Sequence, residues 1–370
     1  FRGVYNVYAH SSGTADRPVI ITARFHDDPP VLHSFDPTGS SEFARPALST
    51  DGEENVHHVI FDGLIIDGAI TLSGGHHNMV QNVDCTHGWG PCDGNWACIR
   101  IEACTECVAH HNFVHDVEDT AGHCAGSGWE PRESGLKEFT ATRVIWEYNT
   151  VRTTVRWGYD LHRNSDSPTV RFNRFENITG GSVIRVNRAT DSRVYGNVVS
   201  GSGSCVQVLL PDEEEPVPQY SEVHHNTCAF TAFAVNTNGD VHTTIRDNAA
   251  YGLPAGSNER GNVNAPGGSH PHTIDHNGWD SNTFFHVELY DNGVQYDTLA
   301  AWQSATGYDT NSQAAPGGYC TFVDPPADVA DLEYDLRLTG GCTTLASDGD
   351  EVGAYGLSEC VGHDCAPACE

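Results

Sequence analysis

The sequence predicts an all-β solenoid, and three observations predict it. The 370 residues include 38 Gly and a single Met, a composition suited to a turn-rich β protein. A short pattern recurs along the chain: an apolar residue, two mostly polar residues, Asn, and often another apolar residue. Between recurrences runs a second short stretch in which apolar and polar residues alternate, the period of a strand with one dry face.

The repeats come in order as "MVQNV" ending at Val83, "VAHHNF" at Phe113, "VIWEYNTV" with one extra residue, "VRFNRF" at Phe175 and "RVYGNVV" at Val199. "EVHHNTC", "TIRDNAA" and "TIDHNG" follow, ending at Cys228, Ala250 and Gly278. Their Asn residues are Asn82, Asn112, Asn149, Asn173, Asn197, Asn226, Asn248 and Asn277, with gaps of 30, 37, 24, 24, 29, 22 and 29. A period in the low twenties with variable insertions is one coil of a β-solenoid. Asn tolerates left-handed backbone angles at a tight corner, and stacked Asn side chains can hydrogen-bond along the axis. A structural role is therefore expected for all eight.

The second strands are "WACIRIEA" (96–103), "WGYDLHRN" (157–164), "GSVIRVNR" (181–188), "SCVQVLLP" (204–211) and "TAFAVNTN" (231–238), with "GWEPRES" (128–134) as an irregular member. Insertions concentrate at 86–95, 114–142 and 211–220. Insertions on one side of a solenoid wall a groove.

Asp plus Glu total 50 against 19 Lys plus Arg, a formal charge of −31. Such a surface repels nucleic acid and anionic membranes. Lys137 is the only lysine, so nearly every cation is a guanidinium suited to bidentate carboxylate contacts. No run of about 18 apolar residues exists to span a membrane, and a monomer is expected. The 13 cysteines cluster locally, which predicts disulfides in an oxidising, secreted or cell-surface setting. Zinc at the Cys104–Cys107 CxxC is the alternative. The start at Phe1 without Met is read as a leader removed or left out.

"GTADRPVIITA" (13–23), "VIFDGLIIDG" (59–68) and "YDTLAAWQSATGYDTNS" (296–312) with "YDLRLTGG" and "EVGAYG" resemble the first coil, second coil and tail of right-handed parallel β-helix carbohydrate-active proteins. The resemblance implies one right-handed parallel β-helix over 1–356 with disulfide-stapled loops, and a Cys-rich tail over 357–370.

Strands of adjacent coils lie about 4.8 Å apart, so outward residues form a column. With Ile99 and Ile101 inward, Arg100 and Glu102 face out; with Ile184 and Val186 inward, Arg185 and Asn187 face out. Glu130 and Arg132, then Asp160 and His162, fill the coils between, and Gln207 follows. A His works as a base near neutral pH, and Arg neutralises the charge that builds on a carboxylate as its α-proton leaves. These residues suit β-elimination or C5 epimerisation of uronic-acid polysaccharides. His162 is the expected base, Arg185 the carboxylate neutraliser and Asp160 the orienting group. Arg100, Glu102, Glu130, Arg132, Trp157, Asn187 and Gln207 are the expected substrate contacts.

Two local resemblances point the same way. "WGYDLH" resembles "YGFDPH" of mannuronan C5-epimerases, with Asp160 and His162 on its Asp and His, and Trp157 where that motif has a catalytic Tyr. "GGSVIRVNRATDSRVYGN" (180–197) resembles the arginine strand of chondroitinase B-like and alginate lyases, with Arg185 on the catalytic Arg. That family's catalytic Lys falls about one coil earlier, where this chain has His162, Arg163 and Asn164. Two other readings compete: a glycoside hydrolase with paired carboxylates drawn from Glu102, Glu130 and Asp160, and a non-catalytic glycan-binding surface protein. Calcium is a candidate ligand of Asp116, Glu118 and Asp119. The His doublets are expected as polar corners, with stacked transition-metal ligands as the alternative.

Overall fold

The computed structural model describes residues 7–23, 31–33, 46–50, 55–87, 97–117, 134–154, 156–209, 220–238, 242–253, 261–266, 272–280, 284–288, 294–316, 318–325, 335–340, 342–356 and 361–363. Three long sheets contain, among these residues, 12, 10 and 11 strands. Each coil contributes one strand to each sheet in turn. Ala97–Glu102, Val108–His110 and Phe113–Val117 make one coil, and Ser134–Phe139, Ile145–Glu147 and Thr150–Thr154 make the next. Coil pairs onto coil in parallel register, the geometry of a parallel β-helix. Parallel crossovers of this kind are right-handed.

The alternating pattern works because each inward position stacks on its equivalent one coil away. In the first sheet Ile70, Ile99, Leu136, Tyr159, Ile184 and Val206 are in register. Val80, Ala109, Trp146, Val170, Val194 and Val223 do the same in the second. All twelve are buried. Gly158 packs where two layers meet: a Cβ there would lie 2.5 Å from Phe175 Cδ1. Gly158→Ala is expected to cost about 1–3 kcal/mol by overpacking, read as a fall in the urea midpoint.

The Asn corner lies between the second and third sheets and is a ladder. Asn149 Nδ2 donates to Asn173 Oδ1 at 2.9 Å, Asn173 Nδ2 to Asn197 Oδ1 at 3.1 Å, and the series runs from Asn112 to Asn277. Each Oδ1 also accepts the backbone N–H of the preceding Asn. The left-handed angle expected of the Asn belongs to its predecessor: His111, Tyr148, Phe172, Gly196, His225, Asp247 and His276 have φ between 51° and 65°. Asn82 is a correction. It takes the left-handed φ of 52° itself, is exposed, and Val83 holds the ladder position, its N–H donating to Asn112 Oδ1 at 3.0 Å.

Disulfides join Cys85 to Cys98, Cys104 to Cys107, Cys205 to Cys228 and Cys320 to Cys342. The Cys104–Cys107 bond removes the zinc alternative for that CxxC. The helix Leu299–Thr306, capped by the Thr298 hydroxyl and by Gly307 at φ 75°, precedes Gln313–Ala315, the last parallel strand of the third sheet. Its Trp302 is buried and donates to Asp309. An antiparallel pair, Thr321–Asp324 with Asp335–Gly340, then begins an outer layer. Residues 342–356 and 361–363 run back over the third sheet. Ser347 N–H donates to Asp247, Ala354 N–H to Thr227, Gly362 N–H to the Phe172 carbonyl and His363 N–H to Thr150. Phe322, Leu336, Val352 and Val361 cover Val198, Ala229 and Ala249, forming a second small core outside the coil.

Candidate functional site

The strand Trp157–Arg163 sits in the middle of the first sheet. Its inward Tyr159 and Leu161 are fully buried, which turns Asp160 outward. Register places Thr71, Arg100, Lys137, Asp160, Arg185, Gln207 and Asn236 in one outward column. The member from the coil before Asp160 is therefore Lys137. The strand there is Ser134–Phe139, not the "GWEPRES" stretch; Glu130 and Arg132 lie outside the described residues. The alternation was obscured by Glu138, an inward carboxyl. Inside the coil its Oε2 accepts from Trp146 Nε1 at 2.8 Å and from the Tyr159 hydroxyl at 2.9 Å. Burial pushes its carboxyl up from the ordinary value.

Asp160 is not on a wet face. It is fully buried, because its column neighbours close over it. Lys137 Nζ, also fully buried, donates to Oδ2 at 2.8 Å, and Arg185 Nη1 donates to Oδ1 at 3.3 Å. Aromatic faces complete the cover. Arg185 lies 4.9 Å over the Trp157 ring and Lys137 5.6 Å from it, while Arg100 and Lys137 lie 4.8 and 5.5 Å from Phe139. Trp157 is itself 6% exposed. Burial pulls the Lys137 ammonium down, Asp160 opposes this, and Arg100 and Arg185 add to it.

His162 stands beside this pair. Its Nδ1 is 3.8 Å from Asp160 Oδ2, beyond hydrogen-bond reach, and its ring packs on Phe139 at 4.9 Å. Asn187 Nδ2 donates to the His162 carbonyl at 3.1 Å and anchors the backbone. Burial lowers the imidazole to about 4; Asp160 opposes, and Lys137, Arg185 and Arg163 reinforce the shift. His162 is thus neutral at pH 7, with a free lone pair. Glu102 pairs with Arg100 at 2.8 Å, and Gln207 accepts from Ser182 at 2.6 Å.

The shift has a consequence for stability. His162 at about 4 and His224, lowered by burial to about 3, both start from 6.5. Between those values the unfolded chain binds more protons, so stability falls as pH drops from about 6.5 and levels off below the folded values. His162→Gln and His224→Gln should each flatten the urea midpoint against pH relative to the parent chain.

A cleft of about 450 Å³ lies elsewhere, on the second sheet, lined by Arg143, Asp191, Arg193, Tyr220 and Glu222 among others. Its guanidiniums already face carboxylates: Arg143 pairs with Glu106 at 2.7 Å and Arg193 lies 3.9 Å from Glu222. The column differs. Among the described residues it and the row beside it, Glu102, Phe139 and Arg163, group four cations, Arg100, Lys137, Arg163 and Arg185, with two carboxylates, Glu102 and Asp160. Asp116 lies in the third-sheet strand Phe113–Val117 and accepts from His115 Nδ1 at 2.8 Å; Glu118 and Asp119 lie outside the described residues.

Sequence reasoning missed Lys137, although its being the only lysine, 23 residues before Asp160, was a usable signal.

No protein-family model matches the chain, and no curated protein does. Among solved structures, the crystal structure of an alginate lyase from Paenibacillus sp. str. FPU-7 is similar, at 15% identity and a TM-score of 0.44, over 70% of this chain and 86% of that one. The fold stands on sheet order and register, and the likeness assigns no residue a role.

Proposed function

We propose that the chain is a secreted polysaccharide-active enzyme of lyase or C5-epimerase type acting on a uronate-containing glycan. The observation that carries this reading is a local excess of cations beside a neutral imidazole on a chain of net charge −31. An acidic protein that gathers its lysine and three arginines on two adjacent outward rows of one sheet has a place for a carboxylate. Arg100 and Arg185, with side chains 17% and 19% exposed, can receive a uronate from solvent. Lys137 reaches the same site only as a buried charge.

In this reading His162 takes the C5 proton while the guanidiniums neutralise the charge building on the sugar carboxylate. A bound uronate would also raise the His162 imidazole from its low value, strengthening it as a base. For elimination, the C5–H and C4–O bonds break, the C4=C5 bond forms, and the departing oxygen takes a proton. The imidazolium formed in the first step can supply it when departure is from the same face. For epimerisation a proton from water adds to the opposite face of C5, the imidazolium gives its own proton back to solvent, and no bond to C4 breaks. Asp160 holds Lys137 and Arg185 in place. Both its oxygens are engaged, which argues against its use as a hydrolase nucleophile or acid.

Proton NMR of the protein with a polyuronate panel in heavy water tests this. Unsaturated sugar signals identify a lyase, and deuterium or inversion at C5 an epimerase. His162→Ala should lower the rate about 10²–10⁴-fold. Unchanged glycans, or a His162→Ala protein that matches the parent, would replace this reading with a binding surface. New reducing ends without unsaturation would replace it with hydrolysis.

A further inference from the structure

We propose that His58, His76 and His77 form a binding site for a divalent transition metal of the zinc class, at the corner between the first and second sheets. This site is independent of the proposed glycan chemistry.

The corner brings two His doublets into adjacent coils. His57 and His76 are bridged in parallel, and the second residue of each doublet, His58 and His77, takes a left-handed φ of 53° and 55°. Matching residues therefore stack: His57 on His76 at 4.5 Å and His58 on His77 at 4.9 Å between ring centroids. The doublets beside the ladder Asn, His110–His111 and His224–His225, stack on tyrosines instead. His111 stacks on Tyr148 and His224 on Tyr195.

Ligand nitrogens of His58, His76 and His77 all lie within 4.8 Å of one another, and His76 Nδ1 is 2.7 Å from His77 Nδ1. Three imidazoles on a zinc-class ion at about 2.0–2.1 Å hold their nitrogens roughly 3.4 Å apart, so small ring rotations suffice. Imidazole donors suit zinc, copper or nickel and not calcium or magnesium.

The next coil supplies the outer partner. Glu106 Oε2 accepts from His77 Nε2 at 2.9 Å, which keeps the proton on Nε2 and leaves the Nδ1 lone pair facing His76. Arg143, one coil further, holds the other Glu106 oxygen at 2.7 Å. A carboxylate behind a ligating His fixes its tautomer and raises its basicity. Three histidines leave a fourth position for water.

The test uses the full chain, untagged and stripped with a chelator. Zn²⁺ is titrated in competition with a chromogenic chelator, and Co²⁺ is followed by visible absorption. One equivalent of Zn²⁺ and the intense bands of tetrahedral Co²⁺ are expected. His77→Gln, at a side chain 47% exposed, should weaken Zn²⁺ at least tenfold and abolish the bands without unfolding the chain. Glu106→Gln should weaken it about 10–100-fold, and His110→Ala should leave it unchanged. Absence of stoichiometric Zn²⁺, or binding that His77→Gln does not alter, would overturn the site.

Discussion

Lys137→Met will cost the fold about 3–5 kcal/mol, because it leaves the buried Asp160 carboxylate with only the 3.3 Å contact from Arg185. The double variant Lys137→Met/Asp160→Leu should recover most of that loss. It removes both buried charges together, and Arg185, partly exposed, can turn to solvent. A double-mutant cycle on urea midpoints reads the coupling. A coupling below about 1 kcal/mol would mean that water reaches the pair and that Asp160 behaves as a surface carboxylate. The cycle also separates the pair's structural role from the proposed chemistry. A double variant that folds but loses the glycan reaction assigns Asp160 and Lys137 to positioning Arg185.

Asn173→Ala should cost about 2–5 kcal/mol. The Asn173 amide accepts from the backbone and the side chain of Asn149, at 2.9 Å each, and donates to the Trp146 carbonyl and to Asn197. Truncation strands buried donors on the coil before and a buried carbonyl beside them, at about 1–3 kcal/mol each. Asn82→Ala is the internal control. Asn82 is exposed and donates to Asp62 at 2.8 Å, so its loss should stay within about 0.5 kcal/mol. Equal effects at the two positions, measured by urea denaturation, would refute the ladder as a source of stability.

Much of the architecture was legible because a solenoid repeats its solution. Ile99 and Ile101, or Ile184 and Val186, announce an inward face, and the recurring Asn marks one corner in every coil. Legibility failed where a coil used an exceptional residue. Glu138 points inward because Trp146 and Tyr159 meet its carboxyl, and a strand with an inward Glu does not alternate in the expected way. Hence Lys137 was passed over. Burial of Asp160 was equally hidden, since it depends on partners 23 and 25 residues away in sequence. Arg100, Asp160, His162, Arg185, Asn187 and Gln207 were still placed on one strand column, because register follows from period-two counting once the inward residues are known. The Asn82 repeat misled by one position: its Asn carries the left-handed angle, and the next residue carries the ladder.

The segment that returns over the third sheet changes how the molecule can come apart. A stack held only by nearest-neighbour contacts frays from an end, one coil at a time, and its stability is nearly a sum over coils. Here the residues that bind Asp247, Thr227, Phe172 and Thr150 span several coils with one length of backbone. Loss of an end coil loosens contacts to coils well inside the stack, and uncovering Val198, Ala229 and Ala249 becomes part of the same event. The outer layer thus acts as a long-range coupling in an otherwise one-dimensional system. Amide exchange in the coils it crosses should share one opening free energy, instead of rising coil by coil from the end.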